Sequence, residues 1–510
     1  MVSATGRRVM MAAILVMAVL PVLLAPVPGF VDMPSHMARH HVLAHMADRA
    51  DLARYFAVHW QWIANLGADL PSVLLTPLLG SEGATVVVGA LLAPLMILGM
   101  FRLSAAAHGR VSASAFIALP FAMHQAWMWG FLNYCMGTAL ALLAAAWLYA
   151  RPRDAVWERA LLGVLALLVW TCHMASWVIL LILAAGNELG RLRGWSGVVP
   201  AIWRNLGLLL PVVPLLLWRS HAGGVGGGFS YVDFLDTKLV VFASVLRGTE
   251  KLADLALLAA VALSALLALF WAGRRRMEPR LLISGLLLAG ATLAAPTTIL
   301  NAWGTDLRTA PIALLVLVLA ITPPAQPRHE RILLALGFAL FAVRCGTVAR
   351  GWAVHGAALE ARLSLLDDVP RGGKLGYLWI APDCGYPWAL MPDEKLGSYA
   401  LTRRDAFVNT LFMVDNARLM TIRDPELARR WNGGSQDVAP LCPGHHLDRQ
   451  LLSARLTAMA QDRFDAIWIS GIEPGAVPSL AGYRPVRRVG KDVLLRRDAV
   501  GAQPASNKSL

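Results

Sequence analysis

The sequence predicts a mainly α-helical, polytopic membrane protein with a small α/β domain at its C-terminal end, on the outer face. Three observations carry this expectation. Of the 510 residues, 57% are hydrophobic and only 15% charged, where a soluble protein carries about 25% charged residues. Apolar runs recur from Val9 to about Val348, several of them near the roughly 20 residues a helix needs to cross a bilayer. Arginines gather in short clusters between these runs, as membrane topology requires. The net charge of +14 is therefore read as topology. Membrane lipids are the expected surroundings, and no nucleic-acid partner is expected.

Taken in order, the first apolar segment follows Arg7 and Arg8 and runs from Val9 to about Ala25. It is expected to be a retained helix rather than a cleaved signal peptide, because many spans follow. Spans are expected near 9–26, 83–101, 111–126, 132–150, 160–172, 174–190, 205–218, 252–273, 281–299, 307–323 and 331–348, about eleven in all. With Arg7 and Arg8 inside, every cluster falls on the cytoplasmic side: Arg102 and Arg110, Arg151 to Arg159, Arg191 to Arg204, Arg274 to Arg280, and Arg328 with Arg331. The outward connections at 127–131, 172–176 and 299–306 hold no Lys or Arg, which is the asymmetry of the positive-inside rule. The expected location is a bacterial inner membrane, with the N-terminus inside and the chain after about residue 349 in the periplasm.

The expected domains are a membrane domain over 1–349, an outer α/β domain over 350–499 and a disordered tail over 500–510. Within the first, the outer loop 27–82 is expected to be helical, with one helix from Pro34 to Tyr55 opened by its proline. The glycines between Gly223 and Gly228 mark a flexible second outer loop. In the outer domain, Lys374–Ile380 and Ala466–Ser470 read as buried strands, Val486–Val489 and Asp492–Leu495 as a hairpin, and Leu451–Ala460 as a helix. Cys135, Cys172 and Cys345 act as small apolar residues. Cys384 and Cys442 lie in the outer domain, where a disulfide is chemically allowed.

Ionisable residues near membrane segments are costly and mark function. The ionisable and polar residues at the outer ends of the spans are Asp32, His36, Arg39, His124, Asn133, His173, Asp306 and Arg308. Their shared face suggests an outward-facing polar cavity. Each also has a plainer reading. Asp32 stands where a helix cap would, His124 and His173 are lone histidines in packed turns, and Asn133 can satisfy a helix start. Asp306 and Arg308 can pair with each other, or act as a cap and an interfacial anchor. Asp32, His36 and His40 are spaced by four, so they share a helix face and offer ligands of a type that divalent ions take. A divalent metal ion is the one cofactor this pattern suggests.

The segments Asp32-Met33-Pro34-Ser35-His36-Met37-Ala38-Arg39, Phe131-Leu132-Asn133-Tyr134 and Asp306-Leu307-Arg308 resemble those of uncharacterised bacterial proteins of the GT-C superfamily of membrane glycosyltransferases. The resemblance extends to the acid directly after the first span, the helical first outer loop, the many spans and the outer C-terminal domain. Where many members carry two adjacent acids, this chain has Asp32 followed by Met33. The resemblance implies an enzyme that takes a sugar from a polyprenyl-phosphate donor, with inversion, for a cell-envelope acceptor. Asp32 is then the catalytic base, and Arg308, with Arg39 or a histidine, meets the donor phosphate. Two readings from other classes stay open: a transporter or flippase for a lipid-linked or polar substrate, and a non-catalytic subunit whose outer domain binds a protein partner.

Overall fold

In the computed structural model the described residues are 4–150, 155–217, 228–231, 234–273, 276–299, 302–382, 387–411, 419–431 and 447–498. Cys384 and Cys442, the glycines 223–227 and the tail 500–510 lie outside them. The described residues are mainly α-helical. Among the described residues four helices are long and apolar enough to cross a membrane: Asp69–His108, Leu132–Ala150, Lys251–Trp271 and the helix starting at Pro327. Arg8–Leu23, Met174–Leu189 and Pro279–Ala294 are shorter apolar helices.

The first helix, α1, spans Ala4–Leu23. The outer loop that follows differs from the single expected helix. It holds α2 (Met33–His45), α3 (Ala50–Tyr55) and a strand, Phe56–Val58. The break falls at Arg49, whose backbone is extended and whose guanidinium pairs with Asp405 at 2.7 Å. The next helix, α4 (Asp69–His108), begins well before the expected start at 83 and changes direction at Gly80, whose φ of 68° lies outside the helical region. A bare α-carbon adopts that φ without steric cost. α4 packs closely on Leu132–Ala150: a Cβ on Gly99 would lie 2.8 Å from Leu142 Cβ. Small residues at such contacts let membrane helices approach.

The expected span 111–126 is broken into Ala113–Ile117, a 3₁₀ turn at Leu119–Met123 and Gln125–Met128. All three pieces are buried, and irregular backbone at membrane depth is tolerated only inside protein. The expected span 205–218 is likewise short pieces, Leu206–Leu209 and Val212–Leu217. The expected last span does not stop at 348. Its helix runs from Pro327 to Leu363, because Gly351, Trp352, Gly356, Leu359 and Leu363 continue its buried face.

After this helix comes a five-stranded sheet, in the order Phe407–Val408, Lys374–Trp379, Ala466–Ser470, Asp492–Arg497, Tyr483–Val489. The first three are parallel, with Tyr377 opposite Trp468, and the last two are antiparallel additions. The helix Arg449–Gln461 adjoins it, close to the expected 451–460. The strand Phe56–Val58 of the first loop pairs antiparallel with Met420–Ile422, and Tyr55 Oη donates to Gly372 O at 2.8 Å. The first loop and the C-terminal segment are thus joined through backbone as well as side chains.

Candidate active site

Asp32 is held by the backbone on both sides. Its N–H donates to Trp129 O at 2.9 Å and Val31 N–H to Met128 O at 3.3 Å. This close approach needs Gly130, whose φ is 76° and whose Cβ, if present, would lie 3.2 Å from Asp32 N. Just before it, Phe30 sits edge-on to Trp127 and Trp352, at 4.6 and 4.7 Å between ring centroids. These contacts fix the turn from α1 into α2. Asp32 occupies the N-cap position of α2, yet its side chain makes no capping hydrogen bond. The capping reading therefore accounts for its place in the chain but not for its carboxylate.

Asp32 is 7% exposed. Burial raises its pKa to about 7, against the lowering effect of Lys395; Glu394 adds to the rise and Arg308 opposes it. Glu394 and Lys395 come from the C-terminal turn Pro392–Ser398, which Ser398 Oγ brings to 3.3 Å from Ser35 Oγ, one turn into α2. Neither was singled out in the sequence. The acid–base run Asp393-Glu394-Lys395 looks there like an ordinary solvated turn, while in the fold Lys395 is 1% exposed.

Arg308 lies in the first turn of the helix Thr305–Leu319. Its Nη1 donates to Trp303 O at 2.5 Å and Gly304 O at 2.9 Å. The guanidinium carbon lies 4.1 Å from the Phe131 ring centroid, a cation–π distance. Its Nε is buried without a hydrogen-bond partner. Asp306 does not pair with Arg308. One oxygen receives Lys238 Nζ at 2.6 Å and the other the Leu307 N–H at 2.9 Å. Lys238 stands far away in the sequence, on the helix Phe234–Ala243, and an i+2 neighbour on a helix points elsewhere. Asp306 is a fully buried member of that ion pair.

On α2, His36 and His40 come together as their spacing predicts, with ring centroids 5.9 Å apart. The carboxylate beside them is Asp69, the first residue of α4. Its Oδ1 lies 2.9 Å from His40 Nε2 and its Oδ2 accepts from Arg39 Nη2 at 2.8 Å. Burial, reinforced by His40, pushes the His36 imidazole down to about 3. Among the described residues, His36, His40 and Asp69 are the three whose donor atoms converge as a metal would need; Asp32 is not in that group. Asp69 falls inside the loop 27–82 as first drawn, and an acid just ahead of an apolar run was the signal for it.

The remaining three residues separate. Asn133 ties the end of the first loop to the membrane helix: its Oδ1 accepts from Ala68 N–H at 2.6 Å and its Nδ2 donates to Asn65 O at 3.0 Å. His173 caps the helix Met174–Leu189, its Nδ1 accepting from Ala175 N–H at 3.1 Å. His124 is fully buried, with neither ring nitrogen hydrogen-bonded. Tyr134 stands between the two histidine rings, 6.4 Å from His124 and 5.6 Å from His173, and donates to Arg308 O.

No family model matches the sequence, and no curated protein matches at a significant level. Solved structures do. The structure of ArnT from Cupriavidus metallidurans bound to undecaprenyl phosphate superposes over 98% of this chain and 100% of its own, with a TM-score of 0.52 and 14% identity. The apo state of the same protein covers 98% and 99%, with a TM-score of 0.50 and 14% identity. This chain has the GT-C fold. At this identity the likeness speaks for the fold alone, so the chemistry has to be argued from the side chains above.

Proposed function

We propose that this chain is a membrane glycosyltransferase that moves a sugar from a polyprenyl-phosphate donor to an acceptor at the outer face of a bacterial inner membrane. One observation carries the reading: Asp32 is buried at the junction of α1 and α2, makes no capping bond, and lies within the fields of Arg308 and Lys395. A general base works best when its pKa lies near the working pH, and about 7 suits that task. In an inverting transfer the acceptor oxygen attacks the anomeric carbon as its proton passes to an Asp32 carboxylate oxygen. The bond from that carbon to the phosphate oxygen breaks, and its electron pair leaves on the lipid phosphate. Arg308, fixed by two carbonyls and an aromatic ring, is preorganised to meet the developing charge. His124 and Tyr134 line the approach to the same helix end and are suited to sugar hydroxyls. Asn133 and His173 act by holding the surrounding loop and helix.

The same reading takes the chain to have about eleven spans, the shorter helices included, with the sheet-bearing segment in the periplasm. Reporter fusions at residue 278 and residue 420 give cytoplasmic and periplasmic signals under this topology; the reverse pattern puts Asp32 on the wrong side. The chemical test is Asp32→Asn, measured by mass spectrometry of envelope glycans and by binding of undecaprenyl phosphate to purified protein. Transfer falls by roughly two orders of magnitude, the scale of a lost general base, while lipid-phosphate binding persists. Arg308→Ala loses the binding instead. Wild-type transfer by a folded Asp32→Asn protein removes Asp32 from the reaction.

A further inference from the structure

We infer that the last hairpin, with the turn beside it, is a docking track for a polysaccharide that carries repeated carboxylate or phosphate groups. This goes beyond the transferase reading and does not depend on it. It stands on the register of one strand pair, on how its arginines are paired, and on an open cleft alongside.

The stretch from Tyr483 to Asp498 holds six basic residues and two acids. One of the acids, Asp492, is buried and committed, accepting from Arg362 Nε at 2.9 Å and Trp468 Nε1 at 2.8 Å. The register places the arginines. Leu494 faces Arg487 and the next residue, Leu495, faces Pro485, so Val486 is an extra residue in its strand. Residues three apart on a regular strand point to opposite faces; this bulge brings Arg484 and Arg487 to the same one. Arg496 lies directly opposite Arg484 and joins them. Like charges in that position cost stability. The relief is slight: Arg484 stands 3.6 Å from Asp498 with its side chain 74% exposed, and Arg496 has no partner among the described residues. Charge on the outermost strand has a plainer use, which is to protect an open sheet edge. Arg496 sits on the strand inside that edge and adds nothing to the protection.

The track continues over the turn Ser364–Asp368. Arg487 Nη1 donates to Ser364 O at 3.0 Å. Arg404 grips the same turn, giving Nε to Leu366 O at 2.7 Å and Nη2 to Asp367 at 2.8 Å. A cleft of 430 Å³ opens there, lined by Arg371, Arg403 and Arg404 together with Glu360 and Asp367. That is the size of a small-ligand site, and its balance is positive. Arg371 is exposed and has no partner among the described residues. The guanidinium fork matches carboxylate and phosphate oxygens.

A membrane surface and a protein partner fit less well. The helix Pro327–Leu363 has 37 residues, a length of roughly 55 Å, of which a bilayer core takes about 30 Å. Its end, where the turn begins, stands on the order of 20 Å outside the hydrocarbon, while the field of charged lipid fades over about 8 Å in physiological salt. A protein interface needs an apolar centre, and Val486 is the single large apolar residue exposed on the described hairpin.

The test uses the full chain in uncharged detergent and three polymers of one backbone: carboxymethyl dextran, phosphorylated dextran and plain dextran. Wild type binds a charged polymer at low salt, releases it as salt rises, and ignores plain dextran. The double variant Arg484→Gln/Arg496→Gln weakens binding at least roughly tenfold. It melts no lower than wild type, because it also removes the opposed charges. Arg328→Gln/Arg331→Gln, at the other end of the long helix, changes neither. Wild type that binds neither charged polymer overturns the track. So does a hairpin variant that keeps full affinity, or an equal loss in the Arg328/Arg331 variant. Hairpin-dependent binding to vesicles of anionic lipid, without polymer binding, overturns it in favour of a membrane contact. None of these readouts involves sugar transfer, so the proposed function and this track stand or fall separately.

Discussion

Two buried clusters in this molecule use the same residue types for opposite ends. In the first, Arg344 and Asp254 lie among membrane helices with every strong contact satisfied. Arg344 Nη1 donates to Asp254 Oδ1 at 3.0 Å and Nη2 to Met123 O at 2.6 Å. Asp254 Oδ2 receives the Gly248 N–H at 2.7 Å and Trp388 Nε1 at 2.8 Å. In the second, Asp32 is nearly as buried, yet its carboxylate makes no capping bond, and Arg308 keeps a buried Nε without a partner. Buried charge is tolerated when it is fully paired. The first cluster therefore reads as scaffold, and the second as a site whose remaining partners arrive with substrate. Burial alone does not separate structural from functional charge; the completeness of pairing does.

The largest expected effect lies in the scaffold cluster. Arg344→Met leaves Asp254 without its cation, and breaking a buried pair from one side costs about 3–5 kcal/mol. Thermal unfolding in detergent should show a large drop with no donor-specific component. If Arg344→Met melts like wild type but loses only lipid binding, the division between the clusters fails.

Next comes the pH dependence at Asp32. The base acts when ionised, so a pKa of about 7 makes transfer flat above that pH and about tenfold slower for each unit below it. The stability effect has its own sign. Folding raises this pKa from its ordinary value of 3.8, so the folded state holds more protons between 3.8 and 7, and the ionised acid weakens the fold as pH rises through that window. Asp32→Asn should melt higher than wild type above pH 7, and the gain should vanish as pH approaches 4. An acid limb near pH 4 would show that the carboxylate is solvated like an ordinary one.

The smallest effect belongs to the junction between the first loop and the C-terminal segment. Asp405 accepts from Arg49 at 2.7 Å and faces His41 Nε2 at 2.8 Å, while Ser81 Oγ lies 3.1 Å from His41 Nδ1. Asp405→Ala should cost about 1–2 kcal/mol, the scale of charge-assisted hydrogen bonds with one partly exposed partner. Limited proteolysis should then cut near Arg49 faster than in wild type. Unchanged cleavage would mean that the Phe56–Val58 strand pairing holds the junction alone.

By itself the sequence determined the elements whose signal is local. Ala466–Ser470 and Lys374–Trp379 were legible because a strand buried on both faces reads as an unbroken apolar run. The membrane character of the chain was legible because hydropathy accumulates over each span. The pairing of His36 with His40 followed from helical periodicity. Tertiary structure alone decided which carboxylate joins those histidines, since Asp69 is brought over by the packing of α4 on α2. It also decided that Asp306 belongs to Lys238, 68 residues away in the chain. Glu394 and Lys395 reach Asp32 from a segment with no distinguishing signal in the sequence, because Ser35 and Ser398 meet across 363 residues. Spacing fixes what one helix face presents; it carries no information about which distant segment loop closure brings to that face. The charge around Asp32 was settled there, by contacts that exist only once the chain is folded.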